Sequence, residues 1–214
     1  MTTWKNISDE ISTLLRDPGK ESYSESLRMA CWSRACDFFA ITHTALFKSV
    51  TATASSESVG WLVDYPIDFI EMPSGGVQLE KESNRRWLEP ATINPGTEGD
   101  INGYLQMSNG IFFTGEYDSV SLWYYANYTK PTGDSTLLDV PKWAEWALIN
   151  LTMGYMMYPL MMSQAMLRQF QQKREAGSPE DNPPRTQAVF CMRLYSELVG
   201  RVKPQDRSVF FKPN

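Results

Sequence analysis

The stretch Trp146–Leu167 reads WALINLTMGYMMYPLMMSQAML and carries no charged side chain. It constrains the fold of this chain more than any other feature. Its length suits a membrane span. Its content does not: Asn150, Thr152, Gly154, Ser163 and Gln164 recur along it, Pro159 sits mid-way, Glu145 precedes it, and no second apolar segment accompanies it. No membrane insertion is therefore expected. A helix that is apolar on every side belongs inside a domain or between chains. Six methionines fall between Leu148 and Leu167. Unbranched methionine adapts to irregular surfaces, and obligate oligomer interfaces resemble a core cut in half. Tyr155 and Tyr158 add apolar bodies with polar tips. The segment thus reads as a helix shared between its own bundle and a neighbouring subunit. Its candidate interface residues are Trp143, Trp146, Met153, Met157, Met161 and Met162.

The remaining sequence surrounds that helix with two kinds of structure. Trp4, Ile7, Ile11, Leu14 and Leu15 recur at helical spacing, with Thr2 or Thr3 as cap and Asp17-Pro18-Gly19 as stop. Ser22 and Glu25 read as a capping box for a second helix, with Leu27, Cys31, Arg34 or Ala35, and Phe38 or Phe39 on its face. From His43 the texture changes. TALFKSVTATA and VGWLVDY read as strands. Further on, GYLQM, the Asn109-Gly110 turn, IFFT and VSLWYY read as an antiparallel meander. Asp139 is the expected cap of the long helix, Pro159 its kink or breakpoint, and Gly177 its terminator.

The fold class expected is α+β. Residues 1–42 and 136–177 form a helical bundle, with two N-terminal helices and a long C-terminal helix pair. Residues 43–135 form an inserted small antiparallel β unit. Residues 178–214 form a proline-rich linker, a short helix over Thr186–Val199 with Phe190, Leu194 and Leu198 at spacing four, and an extended docking tail.

Chain length fits a domain of ordinary size, at 214 residues. A net charge of −5 argues against a general polyanion binder. Charge is uneven, though: residues 185–214 hold six basic and two acidic side chains. Three cysteines without a CxxC framework indicate a reducing compartment. The acidic, polar start MTTWKNISDE does not read as a signal peptide.

Motifs for chemistry are sparse. One histidine, His43, supplies no cluster for a metal, and its place at a helix-to-strand junction suits a hydrogen-bonded structural residue. Cys31 and Cys36 lie five apart on a helix and read as small core residues. No GxSxG, Walker A or GxGxxG sequence occurs. Asp64 and Asp68 flank Pro66 and can be posed as an acid/base pair, but turn and cap roles explain them more simply. No catalytic, metal or cofactor-binding residue is assigned, and no enzyme is expected. A binding module is the main rival: Trp61, Trp87 and Trp123 of the β unit could stack on carbohydrate or a host surface. The basic tail contains Arg201, Lys203, Arg207, Phe210, Phe211 and Lys212. Adjacent phenylalanines and cations suit a segment that orders on an acidic, apolar partner.

TALFKSVTATA, DYPIDFIEM, GYLQMSNGIFFTGEYDSVSLWYYANYTKP and LLDVPKWAEWALINLTMGY, spread over roughly residues 5–170, resemble the head-to-tail connector adaptor proteins of tailed phages. That resemblance implies a structural virion protein of the neck, assembled in the host cytoplasm. It implies a homo-oligomeric ring, typically dodecameric, beneath the portal protein. The ring would carry DNA through its channel without sequence-specific binding and receive tail or nozzle proteins. The helices would form the ring and the C-terminal tail would dock on the portal, with no cofactor. The proline-rich linker before the tail departs from the family pattern.

Overall fold

The computed structural model describes residues 2–52, 55–57, 60–73, 76–81, 84–90, 103–113, 119–172 and 183–207. The first elements are β1 (Thr2–Thr3), α1 (Trp4–Leu14), α2 (Glu25–Thr42), β2 (Leu46–Ala52), β3 (Ser55–Glu57), β4 (Gly60–Asp64), β5 (Phe69–Glu71) and β6 (Val77–Lys81). They are followed by β7 (Asn84–Pro90), β8 (Gly103–Gln106), β9 (Gly110–Phe113), β10 (Ser119–Ala126), β11 (Leu137–Leu138), α3 (Lys142–Gln172) and α4 (Pro183–Val199). The fold is α+β, as the sequence led us to expect. The chain divides into two compact units. One holds Met1–Thr44 with Tyr128–Pro204, and the other holds Ala45–Asn127 with Gln205–Asn214.

In the helical unit, the three-and-four spacing of Trp4, Ile7 and Ile11 becomes one fully buried face of α1. Burying Ile7 and Ile11 contributes about 1.5–3 kcal/mol each. Trp4 packs on Trp32 of α2, ring centroids 5.9 Å apart. Polar groups lock the same pair of helices. Ser24, not Ser22, caps α2 by accepting from Leu27 N at 3.4 Å. Glu25 is therefore free of the expected capping box. Its carboxylate turns to α1, accepting from Trp4 Nε1, from Ser8 Oγ at 2.9 Å and from Lys20 Nζ at 2.6 Å.

The connection between α1 and α2 is built around a buried ion pair. Arg28 is fully buried and donates to Asp17 Oδ2 at 2.9 Å. Its remaining donors reach Tyr23 O, Ser8 O and Ser12 Oγ. Asp17 also accepts from the backbone N–H groups of Glu21, Ser22 and Tyr23. A buried charge is tolerated only when its partners are supplied in this way. Burial pushes the Asp17 carboxyl up, but the Ser22, Tyr23 and Glu21 N–H groups and Arg28 outweigh it and hold the carboxyl below its ordinary value. Cys31 and Cys36 are buried free thiols of α2.

Helix α3 does not break in two at Pro159, the expected kink or breakpoint. It is one helix of 31 residues that runs through the proline, so the long helix pair is α3 with α4 rather than two halves of the apolar segment. Flanking packing can hold a helix across one missing backbone donor. Asp139 does not cap α3. Its carboxylate accepts from Thr129 N at 2.8 Å and Thr129 Oγ1 at 2.7 Å. Helix α4 is longer than the short helix expected from Thr186, and it packs along α3 as a member of the bundle. Gly154 permits that approach: a Cβ there would lie 3.1 Å from Met192 Cγ and 3.5 Å from Ala188 O.

The strands of the β unit run in the order β2-β10-β6-β7-β8-β9-β4-β3, with β5 also on β10. Its core is Val63, Val77, Leu88, Tyr104, Ile111, Val120 and Leu122. Two features differ from the expected antiparallel meander. β7 and β8 pair in parallel. β8 and β9 form a hairpin, but β10 leaves them to pair with β2, β5 and β6. That arrangement buries its alternating Val120, Leu122 and Tyr124. The β unit also closes sooner than residue 135. Tyr128 Oη donates to Thr44 O and Lys130 pairs with Asp37, so this stretch belongs with the helices. Gly177 lies outside the described residues.

Candidate assembly surface

Helix α4 lies on α3 at Gly154, and the helical unit is recessed on both flanks of that contact. On one flank is a groove of about 780 Å³. Leu14, Leu15, Arg16 and Tyr23 form its wall beside the α1–α2 connection. Trp146, Asn150, Met153 and Met157 of α3 form the floor, and Gln187, Phe190, Cys191 and Leu194 of α4 the far side. The Asp17–Arg28 pair fixes this wall, because it sets the path of the chain between Leu14 and Tyr23. Arg16 adopts a positive φ of 55° there, a conformation that costs a non-glycine residue about 1 kcal/mol or more.

On the other flank is a pocket of about 430 Å³. Leu27, Ala30, Cys31 and Arg34 of α2, Tyr155 and Tyr158 of α3, and Met192 of α4 line it. It is largely apolar, with the Arg34 guanidinium and two phenols as its polar groups. Burial pushes the Cys31 thiol and the Tyr155 phenol up, and the charge of Arg34 opposes both shifts.

The helical unit exposes several large apolar side chains, of which Leu14, Trp146 and Phe190 line the groove and Tyr158 the pocket. Leu14, Trp143, Trp146, Phe38 and Tyr158 are each 41–50% exposed, Ile41 62% and Phe190 63%. Scattered exposed apolar residues are ordinary. A cluster around open recesses marks an interaction site. Among the described residues, no helix is long and apolar enough to cross a membrane.

The expected interface residues are thus distributed unevenly. Trp143 and Trp146 are exposed, with Trp143 edge-on to Phe39 at 5.7 Å. Met153 and Met157 are buried among their own helices, as floor of the groove. Met161 and Met162 lie within α3, with side chains outside the described residues. Leu14 and Arg34 were read from the sequence only as members of helix faces, and neither recess was expected. Phe190 at four-residue spacing from Leu194 carried a helical signal, but these two do not form the inner face of α4. Ala188, Cys191, Tyr195 and Val199 form that face instead.

The tail residues also separate. Arg201 and Lys203 are exposed. Arg207 is not free to dock: it donates to Glu71 Oε1 at 2.8 Å, and its guanidinium lies 5.4 Å from the Tyr125 ring centroid. Gln205 Oε1 accepts from Ala45 N at 3.0 Å. Both contacts strap residues 205–207 to the β unit. Phe210, Phe211 and Lys212 lie outside the described residues. His43 is hydrogen-bonded on both ring nitrogens, to Thr44 Oγ1 at 2.7 Å and Val202 O at 2.8 Å, and stacks on Phe39.

The rival sites are more committed. Asp68 accepts from Lys48 Nζ at 2.7 Å and Tyr124 Oη at 3.0 Å. Burial and that bond push Tyr124 up to about 12. Trp123 is half-buried and stacked on Phe47 at 5.7 Å. The side chains of Trp61 and Trp87 lie outside the described residues. Among the described residues, no three His, Cys, Asp or Glu side chains gather as metal ligands. No protein-family model matches the chain, and no curated protein matches it.

Proposed function

We propose that this chain is a structural subunit of a head-to-tail adaptor ring in a tailed phage, seated under the portal and continuing the DNA channel. The observation that carries the reading is the pair of open recesses flanking α4 on one helical unit, one of them largely apolar. A ring subunit presents two different faces to its two neighbours, and a helical unit with unlike recesses on opposite flanks supplies them. Helices α1–α4 form the ring wall in this reading, and the β unit offers a platform for tail or nozzle proteins. The anchored stretch 205–207 makes Ser208–Asn214, with Phe210, Phe211 and Lys212, the segment that reaches the portal.

The test is electron microscopy of the purified chain mixed with its portal protein. The reading expects portal particles with an added ring on one face, lost when residues 208–214 are deleted. Portal particles without that density at saturating chain concentration contradict it.

A further inference from the structure

We propose that Phe190 of one copy inserts into the Arg34 pocket of a second copy, a knob and hole on opposite flanks of the same helix. The proposal rests on the ring reading and specifies its contact.

Phe190 stands at the lip of the groove and is 63% exposed. It is the most exposed aromatic ring among the described residues. The pocket opens elsewhere on the same unit, between α2, α3 and α4. Met192 contributes to the pocket, while Phe190 faces the groove. The two positions are about 200° apart around α4 at about 100° per residue. A subunit therefore cannot fill its own pocket with its own Phe190, and the pairing must be made in trans.

The chemistry of the hole fits an aromatic ring. Leu27, Ala30 and Met192 supply apolar walls. Methionine sulfur and tyrosine edges favour aromatic neighbours. Arg34 is exposed at the mouth and forms no ion pair with a described residue. Its guanidinium is placed to cover the face of an inserted ring. At about 430 Å³ the pocket lies within the size range of sites that enclose a small organic group. Because knob and hole differ, the contact is head-to-tail, the kind that closes a ring when its rotation divides a full turn and otherwise extends as a filament.

Two substitutions at exposed positions test this without entering the core. Phe190→Asp removes the knob and keeps the hole. Ala30→Trp fills the hole and keeps the knob. Circular dichroism verifies the fold of each, and native mass spectrometry with light scattering reads assembly. The wild-type chain is expected to form a closed oligomer. Each variant alone should assemble at least 100-fold more weakly. Their equimolar mixture should give a one-to-one dimer and nothing larger, because each supplies the one face its partner needs. Assembly of either variant at wild-type strength overturns the knob-and-hole contact and leaves the ring reading to another surface. Two monomeric variants that give no mixed dimer also overturn it. A wild-type chain that stays monomeric overturns the contact, whereas the ring reading stands or falls on the mixture with portal protein.

Discussion

Replacing Gly154 probes the seat of α4 on α3, on which both recesses depend. Glycine costs a helix about 1 kcal/mol relative to alanine. Gly154→Ala recovers that amount, but its Cβ meets Met192 Cγ at 3.1 Å. Met192 has a flexible side chain, and a small rotamer adjustment costs on the order of 0.5–1.5 kcal/mol. The two effects nearly cancel, so Gly154→Ala should lie within about 1 kcal/mol of wild type. Gly154→Val is different. It recovers only about half of the helix preference, and it brings added methyl groups towards Ala188 O, a backbone atom 3.5 Å from the Cβ position. Overpacking of this kind costs about 1–3 kcal/mol. Gly154→Val should therefore be less stable than Gly154→Ala by about 1–3 kcal/mol. Urea unfolding followed by far-ultraviolet circular dichroism measures both. Equal stability of the two variants refutes the close approach of α4 and the geometry of both recesses.

Gly110→Ala should destabilise the β unit by about 3 kcal/mol or more, since its Cβ would lie 2.3 Å from the Val63 carbonyl oxygen and backbone cannot yield; thermal unfolding reads the loss. Burial raises the Asp17 and Glu25 carboxyls, yet their hydrogen-bond donors outweigh it and hold both below the ordinary carboxylate range. Their contribution is thus present above about pH 4.5 and lost as pH falls through the folded values. Melting temperature should drop steeply below about pH 4, and Asp17→Asn should flatten the drop; an unchanged profile in that variant contradicts the assignment. Asp68→Asn should bring the Tyr124 phenol down from about 12, because it removes the negative charge that the phenolate must face; ultraviolet titration of tyrosinate shows it. Arg207→Ala should leave helix content unchanged and expose the chain after Pro204 to limited proteolysis; resistance equal to wild type contradicts the strap.

The sequence exposed the helices through apolar spacing, and it did so well where one face dominates, as with Trp4, Ile7 and Ile11. The change from helix to strand after His43 was equally visible in β-branched alternation. Partners separated far along the chain were not legible. Glu25 is three residues after Ser22, and only the arrival of α1 shows why its carboxylate serves Trp4, Ser8 and Lys20 instead of a cap. Asp139 read as a cap until Thr129 claimed it. β10 followed β9 in sequence but found longer partners elsewhere. The same limit applies to the assembly surface. The methionine-rich helix was conspicuous, yet Met153 and Met157 are floor rather than rim. The exposed lip comes from Leu14 and Phe190, whose exposure depends on how α1 and α4 pack on it. Arg34 fell on the α2 face that the spacing marked, but one arginine on a helix is ordinary until apolar walls surround it.

The most direct test of the central claim is cryo-electron microscopy of the chain assembled without detergent. The account predicts a closed ring in which unlike flanks of α4 meet at every boundary, with Phe190 of each copy enclosed beside Arg34 of the next. A particle in which both recesses face solvent, or in which like flanks meet across a two-fold axis, contradicts it.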